Sequence, residues 1–293
     1  MNAVRLDGSA RAAPVEFDAR EELAKASSEN FPVAMRILPK HIRRHLQAIY
    51  GYARFVDDIG DLSSGDRLGE LDWAEAELDR ALKGRATHPL FVAIGVTARQ
   101  FDLDRGPFVD LIEANRLDQR VTRYQGFDDL VGYCALSANP VGRLVLAVFD
   151  ERDPRLMALS DDVCTGLQLV EHWQDVAEDF SSGRIYLPMS DLESFGVAEH
   201  ELAHPPATPA LRRLLAFECG RARGLIESGM PLVSSLRRWA RVAVAGFVGG
   251  GLAQLDAIEL GSFDVLSSPA KATKTAVSRK AAFVLAKASR WSR

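Results

Sequence analysis

The apolar residues of this 293-residue chain recur mainly at the three- and four-residue spacing of amphipathic helices. The chain contains no Asn-Gly hairpin signal and no convincing run in which apolar and polar residues alternate, so it predicts no sheet. Helical spacing covers, among others, residues 47–61, 71–85, 89–100, 107–126 and, with one interruption, 209–258. The predicted fold class is therefore all-α, with helices that form one bundle around a central cavity.

Prolines and glycines mark the expected helix ends and breaks. Pro39 precedes the long helix that contains residues 47–61. Asn139-Pro140 lies inside the strongly apolar stretch 128–149, and the missing backbone donor of the proline predicts a kink or break there. Such a break either lines a cavity or reflects simple core packing. Three consecutive glycines, residues 249–251, do not fit a dinucleotide-binding motif and instead indicate close helix packing or a local break.

The ends of the chain differ from its middle. Residues 1–20 show no periodicity and predict a flexible tail, and residues 21–264 form the predicted domain. Residues 265–293 carry seven Lys or Arg and no acidic residue, which predicts a basic and helical C-terminal segment. Two interpretations of this segment stay open: a helix packed on the bundle, or a surface that contacts anionic lipid.

Composition and charge indicate the cellular compartment and exclude some classes of partner. The net charge of −4 does not favour nucleic-acid binding. Three scattered cysteines without metal-binding spacing are typical of a reducing compartment. The N-terminal sequence lacks the apolar core of a signal peptide, and no run of 18 apolar residues follows. We therefore expect a cytoplasmic protein, with peripheral contact to the inner membrane if the basic segment binds lipid.

An acidic helix face lies within residues 47–61, which read QAIYGYARFVDDIGD. On a helical projection, an arc of about 60° contains Tyr50, Arg54, Asp57 and Asp61. Asp58 lies further round the helix. Several carboxylates on a packed helix are costly unless a cation or a basic group meets them, and Arg54 can offset only one. The alternative is a solvated acidic face.

A second stretch has the same character. An arc of about 100° on the projected helix contains Gln168, Glu171, His172, Asp175 and Asp179. If the two helices face each other across a cavity, their carboxylates form a site suited to Mg²⁺, which proteins usually hold with a few carboxylates and substrate phosphates.

The two acidic stretches, AIYGYARFVDDIGD and LQLVEHWQDVAEDFSSGRIYLP, resemble the two aspartate-rich motifs of the squalene and phytoene synthase family. YCALSANPVG lies between them, as it does in that family, and the resemblance spans about residues 27–260. It implies an all-α isoprenoid synthase that joins two prenyl diphosphates head to head, through a cyclopropylcarbinyl diphosphate, with Mg²⁺ as cofactor.

Two short segments point to one branch of the family. ENFPVA and SANPVG resemble the bacterial hydroxysqualene synthases of hopanoid biosynthesis. That branch converts presqualene diphosphate and water to hydroxysqualene and diphosphate. The alternatives are a presqualene diphosphate or phytoene synthase, and a non-catalytic assembly subunit that only binds a prenyl diphosphate.

The resemblance also implies roles for individual residues. The implied metal ligands are Asp57, Asp58, Asp61, Glu171, Asp175 and Asp179. The implied catalytic residues are Tyr50, Arg54, Tyr133 and His172, where an aromatic face can stabilise a cation and His172 or Tyr133 can hold a water. The implied substrate-binding residues are Asn30, Arg54, Gln168 and Arg184. Three of these positions depart from many relatives, which have Asn at Glu171, an apolar residue at His172 and Ser at Asn30.

Overall fold

Helices form the regular secondary structure of this protein, whose computed structural model describes residues 38–267 and 270–291. Within these ranges the structure contains no strand, and one isolated bridge pairs Arg123 with Ile185. The predicted all-α class is therefore confirmed. The predicted tail and the substrate-binding candidate Asn30 lie outside the described residues.

Four helices form the first half of the bundle: α1 (Lys40–Leu62), α2 (Arg67–Leu82), α3 (Pro89–Phe101) and α4 (Gly106–Asp118). They pack around a shared core to which α1 contributes one continuous apolar stripe, made of Leu46, Ile49, Tyr52, Val56 and Ile59. The hydroxyl of Tyr52 is also buried and donates to the carbonyl of Phe108 on α4 at 3.0 Å. Burying one face of α1 in this way leaves its acidic residues on the opposite side.

The second half contains nine helices within the described ranges. They are α5 (Phe127–Ser137), α6 (Asn139–Val148), α7 (Pro154–Gln174), α8 (Val176–Ser181), α9 (Met189–Phe195), α10 (Pro209–Gly229), α11 (Pro231–Ser235), α12 (Arg238–Leu260) and α13 (Lys274–Trp291). A larger core lies between them. Helix α6 contributes to both cores and packs against both α1 and α7, so it sets the position of one acidic helix relative to the other.

The predicted break at Asn139-Pro140 is confirmed, because α5 ends at Ser137 and α6 begins at Asn139. The buried side chain of Asn139 accepts a hydrogen bond from the Thr165 hydroxyl on α7 at 3.0 Å. The break therefore supplies a polar contact that fixes α7 against α6.

The predicted helix over residues 107–126 is too long, because α4 ends at Asp118. The chain that follows is held in an extended form by backbone bonds to a distant segment. The carbonyls of Thr122, Tyr124 and Gln125 accept from the amides of residues 185, 189 and 190 at 2.9–3.0 Å. This long-range pairing overrides the local helical pattern.

Two further boundaries differ from the sequence prediction. The second acidic stretch is not one helix, because Asp175 has φ −99° and ψ 16° and separates α7 from α8. The projection that placed Asp179 is therefore valid only as far as Gln174. The polar connection predicted over residues 190–209 contains most of α9 and a short 3₁₀ helix, Glu199–Leu202.

The glycines of α12 confirm close helix packing. A Cβ atom added to Gly249 would lie 2.5 Å from the backbone nitrogen of Ala281 on α13. The basic C-terminal segment is thus helical and packs on α12, burying Val277, Val284 and Ala288. Its contact with anionic lipid stays a prediction.

Two segments are long and apolar enough to span a membrane by length and composition, Phe127–Val148 and Arg238–Leu260. Each is mostly buried inside the protein, and the first is divided into α5 and α6.

The contact between α12 and α13 can be tested with a matched pair of substitutions. We expect Gly249→Ala to destabilise the protein by about 1–3 kcal/mol, because the backbone of Ala281 cannot move aside freely. Gly220→Ala is the control, since Gly220 is exposed on α10 with nothing near its added Cβ, and it should stabilise by roughly 0.5–1 kcal/mol. Urea unfolding of both variants would contradict this account if Gly249→Ala were as stable as Gly220→Ala.

A buried acid on α10 makes stability depend on pH. Glu218 is fully buried and accepts from Arg221 at 2.9 Å, and its second oxygen has no hydrogen-bond partner among the described residues. Burial raises the pKa of Glu218 to about 8 from an ordinary 4.5. The folded protein therefore favours the protonated carboxyl. Its contribution to the free energy of unfolding is fully present below pH 4.5 and is lost as the pH rises through about 8.

We expect Glu218→Gln to be more stable than the wild type at pH 8.5. The free energy of unfolding should rise by at least about 1.4 kcal/mol, which corresponds to a pKa difference of one unit. The gain should shrink towards pH 5, because the wild-type carboxyl is then protonated. The exposed Glu227→Gln on the same helix is the control and should show no such pH-dependent gain. Urea midpoints at the two pH values provide the measurement, and an equal gain at both would refute the role of the Glu218 charge.

Candidate active site

The acidic face of α1 is partly open to solvent. Asp57 is accessible to solvent, yet the protein around it desolvates the carboxylate, and this desolvation raises its pKa to about 7. Asn115 on α4 donates to Asp57 at 3.0 Å. Helix α4 can come this close because residue 60 is glycine: a Cβ atom there would lie 2.1 Å from the Asn115 side-chain oxygen.

Arg54 and Asp58 form an ion pair on the same helix. The Arg54 Nε atom lies 3.2 Å from Asp58 Oδ1, and the Arg54 side chain is about 38% exposed. Tyr50 lies one turn earlier and is half-buried. The sequence predicts Tyr50 and Arg54 on one face, and the ion pair joins Arg54 to Asp58, which lies further round the helix.

A second ion pair joins the first acidic motif to the second. Asp61 Oδ1 accepts from Arg184 Nη2 at 2.5 Å, although the two residues are 123 positions apart. Arg184 follows α8 and also donates from Nη1 to the Tyr186 hydroxyl at 3.4 Å. The structure thus brings the two predicted motifs to the same site through one guanidinium group.

The second motif holds its carboxylates on both sides of the helix break. Asp175 occupies the break itself, and Asp179 lies on α8. Burial raises the pKa of Asp179 to about 7, and the negative charges of Asp175 and Asp61 add to the rise. Burial and the charge of Glu178 also raise the pKa of Asp175. One oxygen of Asp179 is buried and has no hydrogen-bond partner within the described part of the chain.

His172 is buried and neutral. Burial, followed by the nearby charge of Arg184, lowers its pKa to about 3. Its Nδ1 atom lies 4.0 Å from Asp179 Oδ2, so this contact is not an ion pair near neutral pH. Its Nε2 atom lies 3.4 Å from the Gln168 side-chain nitrogen. The His172 ring stacks on the Tyr186 ring, with centroids 3.8 Å apart and planes inclined by 15°.

The structure adds residues that sequence reasoning missed. Asp118, the last residue of α4, accepts from the Tyr133 hydroxyl at 2.7 Å and from the Tyr186 hydroxyl at 3.2 Å. Burial raises the pKa of Asp118 to about 6. Asn115, Asp118 and Gln119 lie at i, i+3 and i+4 along α4, and this third polar face was a readable sequence signal. Tyr186 lies within the second motif, in the segment GRIYLP, but no role was predicted for it.

The carboxylates can be tested as a Mg²⁺ site. Within residues 38–267 and 270–291, no three Asp, Glu, His or Cys side chains come close enough to form a complete metal site. The candidates instead form two groups, with Glu171 exposed on α7 one turn before Asp175. All candidates are carboxylates. One oxygen of Asp179 has no hydrogen-bond partner among the described residues, so its negative charge can be neutralised by a bound cation. This arrangement fits Mg²⁺ that is completed by substrate phosphate oxygens.

Two kinds of synthase are similar to this chain in sequence. The chain is 34% identical to the hydroxysqualene synthase of Rhodopseudomonas palustris over 213 residues, which cover 71% of this chain and 72% of that protein. It is 30% identical to the phytoene synthase of Mycobacterium tuberculosis over 234 residues, which cover 78% and 77%.

Solved structures share the fold. The crystal structure of a squalene synthase from Alicyclobacillus acidocaldarius is 39% identical, with a TM-score of 0.76, and the match covers 86% of this chain and 98% of that chain. A dehydrosqualene synthase structure aligns with a TM-score of 0.83 at 24% identity. The sequence model of the family described as squalene/phytoene synthase matches residues 24–276. The chain therefore belongs to the squalene/phytoene synthase family of isoprenoid synthases.

Proposed function

We propose that this protein converts presqualene diphosphate and water to hydroxysqualene and diphosphate. The observation that carries the proposal is the polar pair formed by Gln168 and His172 beside the Tyr186 ring, because water capture needs polar groups next to an aromatic pocket. The 34% identity to hydroxysqualene synthases and the 39% identity to a solved squalene synthase support the same branch.

The first chemical problem is to break a carbon–oxygen bond and release diphosphate. Mg²⁺ held by Asp57, Asp61, Asp175 and Asp179, with Asp58 and Glu171 beside them, would neutralise the charge on the leaving diphosphate. Arg54 and Arg184 would donate to diphosphate oxygens. Arg54 is paired with Asp58 and Arg184 with Asp61, so both guanidinium groups are positioned before substrate binds.

The second problem is to stabilise the carbocation that remains. The rings of Tyr133 and Tyr186 form an aromatic wall, with centroids 5.5 Å apart, and Tyr50 lies on α1 near Arg54. Each aromatic face can stabilise a cation by roughly 0.5–2 kcal/mol. Arg184 contacts this wall at the Tyr186 hydroxyl, at 3.4 Å.

The last step adds water to the cation. We place this water against Gln168 and His172, with Tyr133 as the neighbouring hydroxyl. The water oxygen forms the new carbon–oxygen bond, and the water loses one proton, which an oxygen of the released diphosphate accepts. No reductant is consumed.

A synthase that condenses two prenyl diphosphates is the second candidate. The 30% identity to phytoene synthases over 78% of the chain favours it. The same carboxylates and arginines would serve that reaction, since it also begins with loss of diphosphate. The two candidates differ in the substrate that the cavity accepts and in the product.

We expect the enzyme, supplied with presqualene diphosphate and Mg²⁺ but no reductant, to release an alcohol whose hydroxyl carries ¹⁸O from labelled water. Added NADPH should not convert the product to squalene. Parallel incubations with farnesyl and geranylgeranyl diphosphate are the controls. A condensation product from either, without reaction of presqualene diphosphate, would favour the second candidate. Tight Mg²⁺-dependent binding without any turnover would instead support an assembly subunit.

Substitutions in the acidic motifs test the proposed metal ligands. Asp57→Asn and Asp175→Asn each remove a charge while keeping the shape, and we expect each to lower kcat by about 100-fold or more. Asp128→Asn, an exposed residue at the start of α5, is the control and should keep full activity. Near-normal turnover of either site variant at limiting Mg²⁺ would refute the assignment.

Glu171 belongs in the same Mg²⁺ titration. If it contacts the metal directly or through water, Glu171→Asn should stay active but need more Mg²⁺ for half-maximal rate, and Glu171→Ala should lose more. Titration curves identical to the wild type would place Glu171 outside the metal shell.

A further inference from the structure

Asp118 is a buried carboxylate that no proposed step uses. It is 9% exposed and lies at the C-terminal end of α4. It forms no ion pair within the part of the chain that the structure describes. Instead its two oxygens are taken by two hydroxyls, Oδ2 by Tyr133 at 2.7 Å and Oδ1 by Tyr186 at 3.2 Å. A buried carboxylate is costly to maintain, so this one is a candidate for a specific role.

The two tyrosines that Asp118 binds come from different parts of the chain. Tyr133 lies on α5, and Tyr186 lies in the segment that follows α8. A tyrosine ring has two side-chain torsions, and a hydrogen bond from its hydroxyl to a fixed acceptor removes most of the remaining freedom. One carboxylate therefore sets the position of both rings relative to α4.

The hydrogen bonds also affect the rings electronically. A phenol that donates to a carboxylate gains electron density, because the charge-assisted bond draws the proton towards the acceptor. The attraction of the ring face for a cation rises with that density. The same two contacts thus orient both rings, and the electronic effect matters most at Tyr133, because the stacked His172 ring covers one face of Tyr186.

The network continues to the diphosphate end of the site. Tyr186 accepts from Arg184, which is paired with Asp61 on α1. A displacement of Asp118 would therefore disturb the rings first and the arginine second.

We propose that Asp118 is a positioning residue, which holds the hydroxyls of Tyr133 and Tyr186 and so fixes their rings as one wall of the cavity where the substrate cation forms. This inference rests on the proposed function only in that a cation forms after loss of diphosphate, which is common to both candidate reactions.

The matched control comes from a third tyrosine in the same cluster. The Tyr124 ring lies 5.7 Å from the Tyr186 ring and is inclined to it by 19°, so it is packed much as the other two are. Its hydroxyl is buried but has no hydrogen-bond partner among the described residues, and it does not bond to Asp118. Tyr124→Phe therefore removes a tyrosine hydroxyl without removing a contact to the carboxylate.

The kinetic test measures diphosphate release with whichever prenyl diphosphate the enzyme consumes. We expect Asp118→Asn to lower kcat by about 100-fold, the cost of misplaced reacting groups, with KM and the Mg²⁺ requirement close to the wild type. Tyr124→Phe should keep the wild-type kcat. In the Tyr133→Phe/Tyr186→Phe background, Asp118→Asn should cause little further loss, because the hydroxyls through which it acts are gone. A full 100-fold loss in that background would overturn the proposal.

A second measurement needs no substrate. The titratable and charged groups that interact with Asp118 are Tyr133, Tyr186, Tyr124, Arg184, Asp61 and Asp57. Protonation of Asp118 below about pH 6 weakens its two tyrosine bonds, which should change the tyrosine absorption of the folded protein. The change should persist in Tyr124→Phe and be absent from Asp118→Asn and from the Tyr133→Phe/Tyr186→Phe variant.

Urea unfolding of each variant establishes that it is folded before either measurement is read. A spectral change that persists unaltered in Asp118→Asn would overturn the proposed bonds. Spectra as expected, together with no turnover of any prenyl diphosphate, would reject the proposed function and leave the Asp118 contacts standing.

Discussion

The ion pair between Asp61 and Arg184 joins two acidic segments that are 123 residues apart in the chain. Without a cation between them, the carboxylates of α1 and α8 would repel each other, and water screens the mostly buried Asp179 poorly. Burial is the main cause that raises the pKa values of Asp57 and Asp179 to about 7, and the charge of Arg184 lowers the pKa of Asp179 without cancelling that effect. In the function that we propose, these carboxylates are the groups that would bind divalent cations and, through them, a diphosphate.

Such a site needs support from the rest of the molecule. Each acidic helix is held by a different core, and α6 belongs to both. The apolar stripe of α1 and the bond between Asn139 and Thr165 fix the two helices on either side of α6. The packing of these two cores therefore offsets the electrostatic repulsion between the carboxylates of the site.

The sequence predicted the parts of this arrangement that depend on local periodicity. Helix α1 carries its apolar stripe and its acidic face within one uninterrupted helix, so a single projection placed Arg54, Asp57 and Asp61 together. The same projection failed beyond Gln174, because the break at Asp175 changes the direction of the chain. Asp118 and Tyr186 were missed because their meeting depends on the extended pairing between the segments after α4 and after α8, which no local pattern encodes.

The close approach of α4 to α1 also limits which substitutions residue 60 can accept. Gly60 is buried in the middle of the contact, and even a methyl group there would overlap the Asn115 side chain. Asn115 in turn supplies the hydrogen bond that holds Asp57. A larger residue at position 60 would thus displace the Asn115 amide and release the Asp57 carboxylate one turn away, so a neighbour's hydrogen bond restricts this position.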